Sequence, residues 1–229
     1  YLIGNFEKMD KLAGEISNHA RTLLDRIRIN EIIIQSFMAR GRLRECIRTA
    51  IEILKQLGVH IKPEPNRFSV ILNLLYLRIE LSTKSIEDIK KLPIMTDPHK
   101  LAAMRILMNA ASSAFYTNIL VATVISFKMI HLSVKYGNSP FSPFGYALYA
   151  IILQSIEGKI NLGYEYGKFS IELLNRFNTR EYETKINLVF NLFVRHWKDK
   201  LSTTIEPFKD SFQIGLETGD YEFAAYCSI

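Results

Sequence analysis

The chain has 229 residues, of which 48% are hydrophobic, and its 29 basic and 23 acidic side chains give a mild formal charge of +6. A chain this apolar can bury an ordinary core, which excludes disorder as its main state. Its two cysteines, Cys46 and Cys227, lie far apart without a C-x-x-C pair. This usage suits a reducing compartment and argues against a disulfide scaffold or a zinc site, so we expect a cytoplasmic protein.

The N-terminal part of the chain predicts three helices, over residues 5–19, 22–40 and about 43–57. Gly58 follows the third helix, and glycine readily takes the left-handed conformation in which helices often end. The second and third helices resemble a tetratricopeptide pair, with aromatic, glycine, small, small and apolar residues at roughly the right offsets: Phe37, Gly41, Cys46, Ala50 and Ile53.

Two polar stretches interrupt this helical pattern. Residues 59–66 hold two prolines and an asparagine and predict a loop. Residues 82–97 are polar, with room for one helical turn at 86–91. Between them, residues 67–81 carry one apolar stripe and predict a helix. Asp97 is placed to cap the next helix, with Pro98 at its first position, where a missing N–H costs least.

The stretch from Ile106 to Phe127 holds no charged residue and is long enough to span a bilayer. However, Lys128 ends it, and residues 116–118 (YTN) predict a turn between two helices. The stretch also contains seven polar side chains: Asn109, Ser112, Ser113, Thr117, Asn118, Thr123 and Ser126. We therefore expect two buried helices and no membrane contact.

Residues 140–178 predict a complete helix–turn–helix unit. The first helix ends at Gly158, and Asn161 is the predicted N-cap of the second. The first helix is apolar nearly all round, so it must be covered on more than one side, as neighbouring helix pairs in a solenoid would do. Its main stripe follows the helical period: Phe144, Ala147, Leu148, Ile151, Ile152 and Ser155.

The remaining residues repeat the pattern. A stripe over residues 186–197 predicts one helix, and residues 205–218 predict its partner, with Asp220 placed to cap a last helix. The pair-ending residues follow one another at intervals of 41 positions, which is longer than the standard tetratricopeptide repeat: Gly137, Asn178 and Gly219.

These patterns predict an all-α fold, a tetratricopeptide-like right-handed superhelix of antiparallel helix pairs (an α-solenoid). We expect one helical-repeat domain over residues 1–229, with loops or insertions at about 59–66 and 82–97. The chain starts without Met, and its last helix is open-ended. We therefore expect it to be a piece of a longer protein.

Motifs of catalysis are not found in the sequence. It contains no phosphate-binding G-x-x-x-x-G-K-[ST] loop, no G-x-G-x-x-G loop and no nucleophile elbow, and its five histidines are scattered. We expect no enzymatic activity in this chain, no cofactor and no metal.

Two basic clusters are the candidate partner-binding sites, and no nucleic acid is expected as the partner. Arg44 belongs to a cluster around Gly41, and the second cluster contains Arg195, His196 and Lys198. The favoured interpretation of both is a solvated helix end or face. Trp197 lies on the apolar stripe and is expected in the core.

Four tyrosines in the central unit allow a ligand pocket, although their helical spacing favours packing between repeats. They are Tyr146, Tyr149, Tyr164 and Tyr166.

Four stretches resemble a known family: residues 92–107 (LPIMTDPHKLAAMRIL), 138–153 (NSPFSPFGYALYAIIL), 195–201 (RHWKDKL) and 215–226 (GLETGDYEFAAY). They are similar to the helical-repeat region of large bacterial signalling proteins. In these proteins an AAA-like (STAND-type) ATPase precedes the repeats, and GAF and histidine-kinase modules often follow, while some members begin with a serine/threonine kinase domain. The resemblance implies a superhelix between an ATP-driven switch and an output enzyme.

The leading interpretation is a non-catalytic scaffold or sensor region of a signal-transduction ATPase or histidine kinase. It would contact a protein or peptide partner, or neighbouring domains of the same chain. One alternative is a stand-alone adaptor that binds a peptide or protein along its concave groove. Another is a small-ligand sensor with a tyrosine-lined pocket near residues 146–166.

Overall fold

A computed structural model describes residues 5–228, apart from the side chain of Asn18. Every regular element in this part of the chain is helical, which confirms the all-α prediction. A π-helical segment (Phe190–Val194) and two 3-10 turns (Arg195–Trp197 and Leu201–Thr204) accompany the α-helices. The α-helices are α1 (Phe6–His19), α2 (Leu23–Ala39), α3 (Leu43–Gln56), α4 (Arg67–Leu81), α5 (Ile86–Lys90), α6 (Pro98–Thr117), α7 (Ile119–Tyr136), α8 (Ser142–Ser155), α9 (Ile160–Phe177), α10 (Arg180–Val189), α11 (Ile205–Thr218) and α12 (Tyr221–Cys227).

Two compact units divide the described chain. One comprises residues up to 76 together with 95–128, and the other comprises residues 77–94 together with those from 129 onward. The divisions fall inside α4 and α7. The prediction of one domain over residues 1–229 extends beyond the described residues at both ends and stays a prediction, as does the right-handed superhelix.

In the first unit, α2 packs against α1, α3 and α6, and α3 packs against α6. The side chains of Thr22 and Asp25 form a capping box that starts α2. Cys46 and Ala50 of α3 are buried, and the Cys46 sulfur lies 3.2 Å from the hydroxyl of Ser113 in α6. Small residues therefore lie where α3 packs against α6.

In the second unit, α8 packs against α9, α10 and the π-helical segment. Ala147 and Ala150 are completely buried, and most of the helix from Ser142 to Gln154 is buried with them. The prediction that this helix is covered on more than one side is therefore confirmed. The connection from α8 to α9 is short, as in an antiparallel helix hairpin.

Left-handed residues end the helices at the predicted positions. Gly137, Asn178 and Gly219 have φ angles of 101°, 50° and 79°. Asn178 is the one non-glycine residue with positive φ in the described chain, and asparagine tolerates this conformation better than most residues do. Gly41, Gly58 and Gly158 also have positive φ and lie outside the 41-residue spacing, so the three residues share the sign of φ with other helix ends.

The predicted helix starts are partly correct. Asp97 accepts hydrogen bonds from the backbone of His99 and Lys100, as expected for the cap of α6. Asn161 is not the N-cap of α9, because α9 already begins at Ile160, after Lys159. The Lys159 N–H bonds back to the Leu153 carbonyl at 2.7 Å, so the chain turns into α9 directly after Gly158.

The cap prediction for the last helix holds in position only. Asp220 stands at the N-cap of α12, but its side chain makes no capping hydrogen bond. Its carboxylate instead lies 3.3 Å from the ammonium of Lys185. The Asp220 carboxylate therefore forms an ion pair with Lys185 and does not cap α12.

The prediction that Trp197 lies in the core is wrong: the side chain is 45% exposed. A stripe at 3.6 residues per turn holds only while the helix remains α-helical. The chain changes from α to π geometry at Phe190 and then to a 3-10 turn at Arg195, which rotates later side chains away from the stripe.

The charge-free stretch between Ile106 and Phe127 is not one helix, because α6 ends at Thr117 and α7 starts after Asn118. Among the described residues, α7 is the one helix long and apolar enough to cross a membrane, and 56% of it is buried. A core helix of a soluble protein passes the same test, so this helix is weak evidence for a span.

Candidate functional site

Arg44 lies exposed on α3, within a cluster whose other arginines have acidic partners. Arg40 pairs with Asp10 at 2.7 Å, Arg42 pairs with Glu45 at 3.0 Å, and Arg48 pairs with Glu52 at 3.3 Å. Arg40 and Arg42 also stack over the rings of Phe6 and Phe37. The cluster is thus largely neutralised locally, and Arg44 alone among these four has no ion pair within the described chain.

The three other predicted site residues lie together in the second unit, around the 3-10 turn Arg195–Trp197. Arg195 donates to Asp199 at 3.0 Å, and the same carboxylate accepts from the Tyr164 hydroxyl at 2.8 Å. Lys198 lies 5.5 Å from the centre of the Tyr164 ring. His196 is exposed beside Trp197. The structure therefore joins Arg195 and Lys198 through Tyr164 and leaves His196 outside this network.

The hydrogen bonds of this network shift the acid–base properties of two members. The bond from Tyr164, supported by Arg195, holds the pKa of the Asp199 carboxyl below its usual value. Burial and the bond to Asp199 raise the pKa of Tyr164. Both effects favour an ionised Asp199 and a protonated tyrosine at neutral pH, which is a stable structural arrangement.

The π-helical segment that precedes this turn is held by α8 and α9. The amide of Gln154 donates to the carbonyls of Ile160 and Val194, at 3.2 and 3.3 Å. A Cβ atom on Gly167 would lie only 2.8 Å from the side chains of Phe190 and Val194, so the absence of a side chain lets the segment approach. These contacts place the polar network beside the start of α9.

Three of the four tyrosines form an aromatic cluster between α8 and α9. Tyr146 is fully buried and donates to the Asn138 side chain at 3.0 Å, and its ring lies 4.8 Å from that of Phe169. Tyr149 and Tyr166 meet edge to face at 5.2 Å. Packing is therefore the main role of Tyr146, while Tyr149 and Tyr166 also reach a cleft.

This cleft of the second unit has a volume of about 530 Å³. One wall is the segment of residues 78–90, and the other consists of Lys159 and the part of α9 up to Glu172. Tyr149 and Leu153 of α8 also line the cleft. Helix geometry makes the α9 wall about 20 Å long, at 1.5 Å per residue. The volume of the cleft falls in the range of small-molecule sites.

Ion pairs connect the two walls at both ends of the cleft. Arg78 pairs with Glu157, which also accepts from Lys159 at 2.8 Å. Lys90 pairs with Glu172 at 2.7 Å. Burial opposes ionisation of Glu157, but the bonds from Lys159 and Arg78 outweigh it and lower the pKa of this carboxyl.

The lining of the cleft includes three glutamates (Glu87, Glu165 and Glu172) together with basic side chains and hydrogen-bond donors. Lys84 and Lys168 line it, and neither forms an ion pair within the described chain. Burial raises the pKa of Tyr166 to about 12, so its hydroxyl keeps its proton at neutral pH. The cleft can therefore donate hydrogen bonds to an acceptor group placed over an apolar floor.

Sequence reasoning identified the tyrosines of this cleft but not the wall formed by residues 78–90. The only local signal there is the capping box of Ser85 and Asp88, which starts α5. It predicts a helix start and carries no information about the distant wall that α5 faces. Among the described residues, no group of three or more His, Cys, Asp or Glu side chains could hold a metal ion.

Comparison with known proteins gives one informative similarity. No model of a protein family matches the chain, and no solved structure matches it. The chain is similar to the hybrid signal transduction histidine kinase G of Dictyostelium discoideum, with 20% identity over an alignment of 261 residues. The alignment covers the whole chain but only 7% of that protein. The relative comes from an amoeba, so it adds no support for a bacterial source, and what it does support is an association with signal transduction.

Proposed function

We propose that this chain is a non-catalytic helical scaffold of a signal-transduction protein, built as a tetratricopeptide-like solenoid. The observation that carries the proposal is the constant spacing of the left-handed residues that end the helices, Gly137, Asn178 and Gly219. Equal spacing of equivalent features is the mark of repeated helix pairs, which offer long surfaces to a protein or peptide partner or to neighbouring domains. The similarity to part of a histidine kinase supports the signalling context.

The burial of α8 supports a role in relaying changes of shape. This helix packs on α9, α10 and the π-helical segment at once, and its two alanines, Ala147 and Ala150, are completely buried. Packed interiors do not deform continuously, so a displacement of one neighbour would move the others. In this proposal, the scaffold connects a sensing or ATP-driven module to an output enzyme.

The chain itself should neither hydrolyse ATP nor phosphorylate itself, because its sequence holds no phosphate-binding loop. The measurement is incubation with labelled ATP and magnesium, followed by detection of labelled protein and free phosphate. Heat-denatured protein is the control. Stoichiometric labelling, or turnover above the control, would contradict the non-catalytic assignment.

The complete gene distinguishes the proposal from a stand-alone adaptor. An ATP-binding motif encoded upstream, or a kinase module encoded downstream, is expected for a scaffold within a signalling protein. A stop codon shortly after the codon for Ile229, with no module upstream, would favour the adaptor that binds a peptide in its groove.

A small-ligand sensor is the second candidate, and the tyrosine-lined cleft of about 530 Å³ favours it. Native mass spectrometry of the purified chain would detect a molecule that remains bound through purification. A bound molecule lost in a Tyr166→Ala variant that still folds would support this candidate.

A further inference from the structure

A second cavity lies in the first unit and is separate from the tyrosine-lined cleft. Its volume is about 570 Å³, within the range of small-molecule sites. The end of α3, the connection over residues 57–66 and the start of α4 surround it, and α7 closes it with Val124 and Lys128. The cavity does not depend on the scaffold role proposed above.

The connection that forms one side of the cavity is held at both ends. The Val59 N–H bonds to the Leu54 carbonyl at 2.8 Å, and Lys100 donates to the Leu57 carbonyl at 3.3 Å. At the other end, the Asn66 side chain accepts from the Ser69 N–H at 2.8 Å and caps α4. The cavity is therefore preformed, which reduces the ordering cost of binding.

The floor of the cavity is apolar. Ile61 and Val124 are buried and contribute to it, together with Ile51 and the ring carbons of Pro63 and Pro65. Two polar side chains at the α4 wall use their donors within the helix: Ser69 bonds to the Asn66 carbonyl, and Asn73 bonds to the Ser69 carbonyl. The side chains available to bind a charged group of a ligand are therefore the basic ones of the lining.

Those basic residues outnumber the acids of the cavity. Lys55, Lys62 and Lys128 line it, and no ion pair within the described chain involves any of them. The one carboxylate of the lining, Glu52, already pairs with Arg48 at 3.3 Å. Lys55 and Lys62 are exposed and Lys128 is half-buried, so the lining carries positive charge that its one carboxylate does not neutralise.

Among the three lysines of the cavity, Lys128 is the most buried. It is half-buried, and burial lowers the pKa of its ammonium group with no carboxylate to offset the effect. Lysine binds phosphate and carboxylate groups as a compact point charge. An anion beside Lys128 would restore the pKa and remove the cost of the unpaired charge.

We propose that this cavity binds a small organic anion, a molecule with a carboxylate or phosphate head group and an apolar body. The head group contacts Lys128 with Lys55 and Lys62, and the body covers the floor formed by Ile61 and Val124. Both parts are needed, because the lysines are exposed to water on one side and the floor alone offers only a modest apolar area.

The test compares four probes by isothermal titration and by amide chemical shifts: octanoate, octyl phosphate, inorganic phosphate and 1-octanol. At least one octyl anion is expected to bind saturably, at least about tenfold more tightly than either inorganic phosphate or octanol, because each of these lacks one of the two contacts. Preference for octanoate or for octyl phosphate identifies the head group. Shifts centred on residues 59–66 and on α7 near Lys128 are expected.

Lys128→Met separates the site from general charge effects. It should weaken binding of the preferred octyl anion by about tenfold or more. Lys11→Met, on the exposed face of α1, is the matched control and should leave binding unchanged. Without ligand, Lys128→Met protein should unfold at the same or a higher urea concentration than the wild type, because it loses an unpaired charge. Equal binding by wild-type and Lys128→Met protein, or no binding of either octyl anion at millimolar concentration, would overturn the proposal.

Discussion

Four glycines inside helices of the second unit stand where a methyl group would meet a neighbouring element: Gly145, Gly163, Gly167 and Gly215. On Gly145, for example, an added Cβ atom would lie 2.8 Å from the Cβ of Met129. None of the four has a positive φ, so their role is close packing and not turn formation. The sequence does not reveal this role, because glycine within a helical stripe normally indicates only a weaker helix.

The first prediction concerns Gly163→Ala. Alanine favours the helix by about 1 kcal/mol, but its methyl group would lie 2.8 Å from the Ala150 carbonyl oxygen, which is backbone and cannot move aside easily. Overpacking of this kind costs about 1–3 kcal/mol, so the free energy of unfolding should fall. Urea denaturation followed by circular dichroism measures it.

Gly14→Ala is the matched control for this prediction. Gly14 lies within α1, and nothing stands within 4 Å of the position that its Cβ would occupy. The same substitution should therefore raise the free energy of unfolding there, by up to about 1 kcal/mol. If both variants gained stability, the close approach of α8 and α9 at Gly163 would be contradicted.

At the scale of elements, several helix boundaries were predictable from the sequence. The predicted helix over residues 67–81 agrees with α4, and Asp97, Gly58 and Asn178 act where expected, because caps and left-handed stops are local chemistry. The π-helical segment was missed. The residues that contact it, Gln154 and Gly167, precede it by more than twenty positions and meet it only in the folded chain.

The 41-residue spacing makes a prediction about whole elements. Deleting residues 138–178 joins Gly137 to Thr179 and removes α8 and α9, one full period between equivalent helix ends. If the period is a structural repeat, the shortened chain should keep its helical content and cooperative unfolding, since repeats contact mainly their neighbours. Circular dichroism and urea denaturation provide the measurement.

An out-of-phase deletion of the same length is the control. Removing residues 158–198 cuts away α9 and α10 but leaves α8 without its partner. That chain should lose cooperative unfolding, because the apolar surface of α8 would face water. Equal loss of structure in both deletions would show that the spacing does not define a repeat.

At the scale of the whole molecule, the sequence determined the fold class more firmly than the site. The all-α prediction rested on stripes that each helix carries within itself. The cleft depends on Arg78 meeting Glu157 and on Lys90 meeting Glu172, which are pairs separated by about eighty residues. No local sequence pattern predicts contacts between residues so far apart. The sequence therefore indicates the tyrosines of the cleft but not the wall formed by residues 78–90.

The last prediction connects packing with function. Ala150 is completely buried in α8, so Ala150→Phe should overpack this helix and lower the free energy of unfolding by about 1–3 kcal/mol. Ala225→Phe makes the same change at an exposed position of α12, and Arg44→Glu changes an exposed charge on α3. Both should stay within about 0.5 kcal/mol of the wild type in urea denaturation.

In the full-length protein, under conditions where the Ala150→Phe variant remains folded, regulation of the output activity should also be impaired, because the proposed relay depends on the packing around α8. Equal stability of the Ala150 and Ala225 variants would contradict the burial of α8. Normal regulation in a folded but destabilised Ala150→Phe protein would contradict the relay and leave the helices as a passive spacer, since a packed element that transmits shape cannot be repacked without consequence.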